Sequence, residues 1–585
     1  MLMMVGACFS GEIPKGRPCS ESGECPSGQR CVANVCGDGD LSLLLESLVI
    51  RTGSQSQAVT LAEDTFTYDV GVPLKVASVV IAATAKSPAD VTLTIDAVTI
   101  TSGVDSMPAT LFLGDNTLTI TVRAKDGGAS QEYKINISRG AGLQQQAYLK
   151  AGDVDVEDQF GTVSEIHMDT LVVGAPLDDG ASDAVTNCGA VYVYLRTGTT
   201  WALQQTIYAP NQDAGDNFGA AVALEDDTLV VGAPLEDSNA SGVGGDGTNN
   251  GLDESGAAYV FVRTGTTWSL QAYLKASNTG SGDLFGTSVA IDNNRLLIGA
   301  PNEDSASTNE LDNSASNAGA VYFYSRTGTT WTFGSYIKAP NPGAFDEFGA
   351  AVAVDSDSLA VGATGEDGAG TGTSGNQNDN SAANAGAVYA FIRSGTSWNL
   401  QNYIKASNTD AGDLFGISVD IDADTLVVGA DHERSIGAQT DNSEAEVGAV
   451  YVFSRAGGQW TQQQYLKPRF PQRQANFGFK VAVEADTLVV GSYSEDSSAD
   501  GVGGDEQSLA SENSGAVFVF VRRGLAWTQE VYIKASQPDA SDLFGFSVGL
   551  SKDTVIVGAS REDSAGMSAA QTNTAMNSGA VYVFQ

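Results

Sequence analysis

A chain of 585 residues with 67 glycines and only 17% charged side chains suits short strands and turns. No stretch sustains a 3.6-residue apolar period, so a helical fold is excluded. Its 71 acidic against 30 basic residues leave a net charge of −41, which repels phosphate backbones and anionic lipid and excludes nucleic acid as a partner.

Residues 1–8 are short and apolar, and Val5-Gly6-Ala7-Cys8 resembles a bacterial lipobox, which makes Cys8 the expected lipidation site. The segment lacks a basic start, so either the true start lies upstream or the likeness is chance. No apolar run is long enough for a transmembrane helix, leaving a lipid as the expected anchor. Residues 9–40 hold Cys19, Cys25, Cys31 and Cys36 among Gly, Ser and Pro. Neither a Cys-x₂-Cys pair nor a nearby histidine supports zinc, so two disulfides formed in an oxidising compartment are expected, with three pairings open. Cys188 is then a free or buried thiol.

Residues 41–140 carry the segments SLVIRTG, TFTYDVGV, SVVIAATA, VTLTIDAV, TLTITVRA and EYKINIS between turns, a spacing that predicts a β-sandwich. LESLVI, TFTYDV, LFLGDNTLTITVRAKDGG and EYKINISR resemble the cadherin-like β-sandwich module of bacterial surface proteins, which implies a spacer role.

From residue 143 onward the chain repeats. Phe-Gly recurs at Phe160, Phe218, Phe285, Phe348, Phe415, Phe477 and Phe544. Each is followed by a strand of the LVVGAP type, a polar loop, a strand of the GAVYVF type, a tight turn such as RTGTTW, and a strand of the SLQAYLKAS type. This pattern resembles the FG-GAP repeat of bacterial surface propellers and, more distantly, of integrin α-chain heads. Six of the last strands are introduced by Trp201, Trp268, Trp331, Trp398, Trp460 and Trp527. The seventh repeat stops at its third strand, while an extra fourth strand, residues 143–151, precedes the first Phe-Gly. The expected fold class is therefore all-β: a seven-bladed β-propeller over 143–585 closed by an N-terminal strand, preceded by the sandwich and the small Cys-rich segment. The repeated Phe and Trp are expected as core wedges.

Strand polarity puts the long second-to-third connections and the crossings between repeats on one face, with tight turns opposite. The long loops open with Asp178-Asp179, Glu236-Asp237, Glu303-Asp304, Glu366-Asp367, Glu495-Asp496 and Glu562-Asp563, whereas the fifth has Glu433-Arg434. Such a rim of carboxylates could take a cation or polar ligand, or could satisfy turn backbones. The binding candidates are Glu236, Asp237, Glu303, Asp304, Glu366, Asp367, Glu495, Asp496, Glu562 and Asp563. Another acid stands two residues before six of the Phe residues (Asp158, Asp216, Asp283, Asp346, Asp413, Asp542), with Ala475 the exception, as expected of a turn-stabilising position. Calcium-binding repeats of the integrin type place a DxDxDG-like loop between the first and second strands. Here that connection is cut to LEDDTL or IDADTL, so those sites do not carry over and no metal ligands are assigned.

No cofactor is expected, calcium at the rim apart, and no catalytic residue is assigned. His167 and His432 occupy different repeat positions, and no nucleophilic constellation or phosphate-binding loop is present. The expectation is a monomeric, non-enzymatic, extracellular or cell-surface lipoprotein that adheres to a protein or glycan ligand. The alternatives are a polysaccharide-acting hydrolase or lyase, whose paired carboxylates the acidic rim could supply, and a structural envelope protein.

Overall fold

The computed structural model describes residues 43–585 except 53–54, 63–64, 73–77, 112–113, 126–128, 140–142, 374, 396 and 567–572, together with the backbone of three short strands before residue 43. It divides into a unit of residues 1–142 and a unit of residues 143–585.

In the first unit, Arg17–Pro18, Val35–Gly37 and Arg30–Val32 form a small sheet whose register sets Cys31 opposite Cys36. Cys8, Cys19, Cys25 and the side chains of Cys31 and Cys36 lie outside the described residues, and with them the expected lipidation and disulfides. Two further sheets follow. One runs Ala109–Thr110, Ser78–Ala85, Leu45–Thr52, Gln55–Val59; the other runs Thr67–Val72, Ser130–Arg139, Gly114–Ala124, Val91–Ile95, Val98–Ile100. Alternate residues point inward, so Tyr68, Val70 and Val72 are buried while Thr67, Asp69 and Gly71 are exposed. Ile50, Ile81, Ile120 and Ile135 meet in one shared core, and the Leu45 amide donates to the Tyr133 hydroxyl across it (3.0 Å). This is the predicted sandwich.

The second unit consists of seven antiparallel four-stranded sheets. In the first, Val163–His167, Thr170–Ala175, Ala190–Thr197 and Thr200–Ile207 pair in chain order. The first strands of the others are Ala221–Glu225, Ser288–Asp292, Phe348–Asp355, Ser418–Asp422, Lys480–Glu484 and Phe544–Ser551. Each first strand packs on the next in sequence, and Phe544–Ser551 packs on Val163–His167. The seventh sheet has three strands from the C-terminal end of the chain. Its fourth is Gln145–Leu149, with Tyr148 opposite Tyr582 and reciprocal backbone bonds of 3.1 Å between Gln144 and Gln585. The strand preceding the first repeat thus completes the last sheet, as its surplus predicted.

The second and third strands are buried on both sides, because neighbouring sheets cover both faces. Phe218 shows why the repeated dipeptide is Phe-Gly. Its ring is fully buried, 5.2 Å from that of Tyr259 in an edge-to-face contact, and its sheet shares an apolar cluster with the one before. Gly219 has φ +95°, and a Cβ there would lie 2.6 Å from the Ala190 carbonyl oxygen of the preceding sheet. One residue fills the gap between sheets and the next lets two backbones meet.

The outer strands are joined by repeated polar links. The Trp268 indole donates to Gln204 of the preceding sheet (2.9 Å), and the Arg263 guanidinium lies over that indole at 5.1 Å while donating to Thr170, also of the preceding sheet (2.9 Å). The same links join the seventh sheet to the first: Trp201 to Gln146 (2.8 Å) and Arg196 to Thr554 (2.8 Å). The junction of the third and fourth sheets departs. Gly334 replaces the glutamine, Phe323 fills the space its side chain would occupy, and the buried Trp398 indole nitrogen has no acceptor among the described residues.

Candidate functional site

The crossings between sheets hydrogen-bond to the long loops of the sheet before, for example Gly215 N to Thr186 O (3.0 Å) and Gly282 N to Asp253 O (3.0 Å). The two sets of connections therefore share one end of the sheets, as strand polarity predicted. The opposite turns are short, such as the two-residue link between Glu225 and Thr228.

The paired acids on this face divide into two roles. Glu236, Glu303, Glu366, Glu433, Glu495 and Glu562 are each 2% exposed or less. Each accepts from a lysine at the end of a fourth strand: Lys275 to Glu236 (2.7 Å), Lys338 to Glu303 (3.1 Å), Lys405 to Glu366 (2.8 Å), Lys467 to Glu433 (2.5 Å), Lys534 to Glu495 (2.9 Å) and Lys150 to Glu562 (2.8 Å). Other donors complete the shell, among them the Ser238 amide (3.1 Å) and the Tyr273 hydroxyl (2.7 Å) on Glu236. Burial pushes each lysine's pKa down and the glutamate opposes it. Buried ions persist only when paired and hydrogen-bonded, and these are. Glu236, Glu303, Glu366, Glu495 and Glu562 are thus withdrawn from the rim set open to an external ligand.

Their neighbours Asp237, Asp304, Asp367, Asp496 and Asp563 are half-buried. Each accepts a backbone N–H from the far end of its own loop: Glu254 to Asp237 (2.7 Å), Asn317 to Asp304 (2.8 Å), Asn384 to Asp367 (2.8 Å), Asn513 to Asp496 (2.8 Å) and Asn577 to Asp563 (2.7 Å). This is the turn-satisfying alternative. The aspartates two residues before Phe are buried as well, and Asp283 accepts from the Gly280 amide (2.8 Å). Burial first, then backbone and charge effects, sets Asp283 at about 7 and Asp542 at about 8. Among the described residues no group of three or more His, Cys, Asp or Glu stands close enough to hold a metal ion.

The lysines escaped the sequence reading, although a signal existed: Lys150, Lys275, Lys338, Lys405, Lys467 and Lys534 recur wherever the loop acid is Glu. In the first sheet Asp178 replaces Glu, and Tyr208 follows the fourth strand where the others carry Lys. Both partners change together. Asp178 instead accepts from the Tyr192 hydroxyl (2.6 Å) and the Gly180 amide (2.8 Å), beside the buried Cys188 thiol, which burial and Asp178 push up to about 11.

The repeat breaks elsewhere at the entry to the first strands. The residue after the second strand is Pro176, Pro234, Pro301 and Thr364 in sheets one to four, then Asp431, Tyr493 and Ser560. The residue after Phe-Gly is Thr162, Ala220, Thr287, Ala350 and Ile417, then Phe479 and Phe546. The last three sheets bring these departures together. Phe479, Tyr493 and Phe546 meet with ring centroids 4.6, 5.0 and 5.6 Å apart, and the Lys480 ammonium lies 5.5 Å from the Phe479 ring. His432 Nδ1 stands 3.2 Å from the buried Asp431 carboxylate, which raises the imidazole pKa. Further along the first strands, Glu165 of the first sheet is pushed up to about 8, by burial and then by Asp420 of the fifth. Asp420 accepts the Val483 amide (2.7 Å) and is itself raised to about 6 by burial.

These features define a tandem-repeat β protein of seven four-stranded sheets, six built from four consecutive strands and the seventh completed by the strand before the first repeat. A cadherin-like beta sandwich domain matches residues 45–140. The FG-GAP repeat matches residues 143–194, 201–261, 268–324, 398–453, 460–520 and 527–584, and the chain belongs to that family. The first match takes in the strand completing the seventh sheet, and the long unmatched interval, 325–397, contains Gly334 and ends just before Trp398. No curated protein matches the chain.

Proposed function

We propose that residues 143–585 form a closed seven-bladed β-propeller that acts outside the cell as a non-enzymatic binding module, its loop-rich face taking a glycan or protein ligand. The fold part of this reading is supported by the links between the last sheet and the first, and by the packing of Phe544–Ser551 on Val163–His167. The sandwich serves as a spacer, and lipidation at Cys8 would tether the chain to a membrane.

The observation that carries the functional part is the contrast between constant and variable positions. The buried Glu–Lys pairs, Phe-Gly wedges and Arg–Trp stacks repeat, while the loops above them differ in length and sequence, from 176–189 in the first sheet to 234–256 in the second. A rigid scaffold bearing variable loops on one face is how recognition surfaces are built. Screening the full chain against glycan and protein arrays, with and without calcium, tests it. Retention of a defined ligand class is expected, and absence of any binding in both conditions overturns the reading.

The polysaccharide-enzyme alternative has one specific observation in its favour, the two raised carboxylates Glu165 and Asp420. Asp420, however, is held by two backbone amides, those of Val483 (2.7 Å) and Ile421 (2.8 Å). Release of reducing ends or of unsaturated products from polysaccharide, abolished by Glu165→Gln, would favour that alternative.

A further inference from the structure

We propose that Asp153, Tyr192 and Asp178 form a pH-sensitive clasp: a shared proton holds the crossing between Gln145–Leu149 and the first sheet at acid pH, and its loss releases that crossing as pH rises. This goes beyond the reading of residues 143–585 as a binding module and does not depend on what that module binds.

The repeats supply the comparison. In the second sheet Asn211, on the crossing, uses both halves of its amide: Oδ1 accepts the Tyr259 hydroxyl (2.9 Å) and Nδ2 donates to the buried Glu236 (3.2 Å). Lys275 adds the opposite charge (2.7 Å) and also donates to Ser255 (2.7 Å). Asn278, Asn341 and Asn408 play the same double part for the third, fourth and fifth sheets. The first sheet changes every member of the set. Asp153 stands for Asn211, Asp178 for Glu236, Tyr208 for Lys275 and Cys188 for Ser255. The amide and ammonium donors are lost, and a second carboxylate is gained.

The geometry then requires a proton. The Tyr192 hydroxyl oxygen lies 2.6 Å from Asp178 Oδ2 and 2.8 Å from Asp153 Oδ1. A phenol has one proton to donate, so the hydroxyl makes one of these bonds and a protonated carboxyl makes the other. Asp178 is the carboxyl that keeps it, being 3% exposed while Asp153 is open to water. Protonated Asp178 donates to the Tyr192 oxygen, and Tyr192 donates to the Asp153 carboxylate.

The surroundings favour that proton. Burial raises the Asp178 pKa against the bonds from Tyr192 and the Gly180 amide, and Asp153 and Asp179 raise it further. Asp158, on the same crossing, is raised to about 7 by burial and then by Asp178. Asp183, on the loop, acts on Asp155 of the crossing. From the loop end and the end of the fourth strand, the Cys188 thiol and Tyr208 hydroxyl also face Asp178, and Asp216 of the next crossing acts on that thiol. Among the described residues no lysine, arginine or histidine pairs with these acids, and Lys150, which begins the crossing, is engaged by Glu562. A folded pKa above the unfolded value makes a contribution that is fully present below the unfolded value and lost as pH rises through the folded one. Above that point two carboxylates face one hydroxyl, and the crossing is repelled from the loop.

Hydrogen exchange of the full chain at pH 5 and pH 8, corrected at each pH for the rate of an unstructured chain, tests the clasp. The reporters are the Glu157 and Gln159 amides, bonded to Met576 O (2.9 Å) and Asn577 O (3.0 Å). Their counterparts are Gly282 and Leu284 on the crossing before the third sheet. Protection of Glu157 and Gln159 is expected to fall about tenfold more than that of Gly282 and Leu284 between the two pH values. Asp153→Asn installs the residue that the second to fifth sheets use and is expected to abolish the extra fall. Asp178→Asn, which removes the inner charge, is expected to do the same. An equal change at both crossings in the parent, or an undiminished extra fall in both variants, overturns the inference. Recovery of the parent's protection at pH 8 on adding calcium alone also overturns it, because a metal ion and not a proton would then supply the missing charge.

Discussion

Replacing Lys150 with methionine keeps the aliphatic stem and removes an ammonium 2.8 Å from Glu562, in a pair whose side chains are 0% and 1% exposed. Glu562 keeps the Ser564 amide (3.1 Å) but loses the lysine, leaving a buried carboxylate short of compensation. Breaking a buried pair by removing one partner costs about 3–5 kcal/mol. That is a large part of the roughly 5–15 kcal/mol available to a typical domain. Lys275→Met makes the same local defect in the second sheet, where a tight turn ties the fourth strand to the third. In the seventh sheet no such turn exists, so Lys150→Met also frees an end strand. Guanidinium unfolding followed by tryptophan fluorescence reads the cost, because all six tryptophans lie between Trp201 and Trp527. Limited proteolysis near residue 143 reads strand release, expected for Lys150→Met and not for Lys275→Met. Adding Glu562→Gln removes the stranded charge and is expected to restore a large part of the loss. Unfolding of Lys150→Met within about 0.5 kcal/mol of the parent, or no recovery in the double variant, would refute the reasoning.

Other outcomes follow from the same structure. The buried aspartates before Phe have folded pKa values of about 6 to about 8, raised above the unfolded value of about 3.9, so the folded state binds more protons. Their contribution to stability is fully present below the unfolded value and is lost as pH rises through 6 to 8. Melting temperature should therefore fall between pH 5 and pH 8.5, and Asp216→Asn should flatten that fall; a melting temperature that rises over the interval contradicts the assignment. Phe218→Ala should cost about 3–5 kcal/mol by emptying the wedge between two sheets, read by chemical denaturation. Gly334→Gln should destabilise by about 1–3 kcal/mol, since its Cβ would lie 2.6 Å from the Phe323 ring. Combining it with Phe323→Val should recover the loss and give Trp398 the acceptor its counterparts have, visible as a shift in indole emission; a double variant no more stable than Gly334→Gln would count against it.

Repetition made the fold legible. Phe-Gly requires a large ring and a positive-φ glycine at adjacent positions, so the motif marks each sheet boundary without ambiguity. A surplus fourth strand at one end and a deficit at the other identified the partner of Gln145–Leu149 before any coordinates. The site was less legible. A run of Glu-Asp at loop starts reads as a solvent-facing rim, because adjacent letters do not reveal that the glutamate turns inward to Lys275 while Asp237 caps its own loop. The lysine lies across a third and a fourth strand, a distance no local pattern spans, yet the joint change to Asp178 and Tyr208 in the first sheet records the pairing. The aromatic corner was hidden differently. Phe479, Tyr493 and Phe546 each look like one more apolar residue in a strand-rich chain, and only alignment of the seven copies on their glycines shows that four of them have nothing comparable.

Hydrogen exchange on the full chain tests the ring most directly. If the seventh sheet is completed as proposed, the amides of Gln145–Leu149 should be protected to the same degree as those of Ala580–Phe584, to which they are registered. Exchange of Gln145–Leu149 at the rate of an unstructured linker, with Ala580–Phe584 still protected, would contradict it.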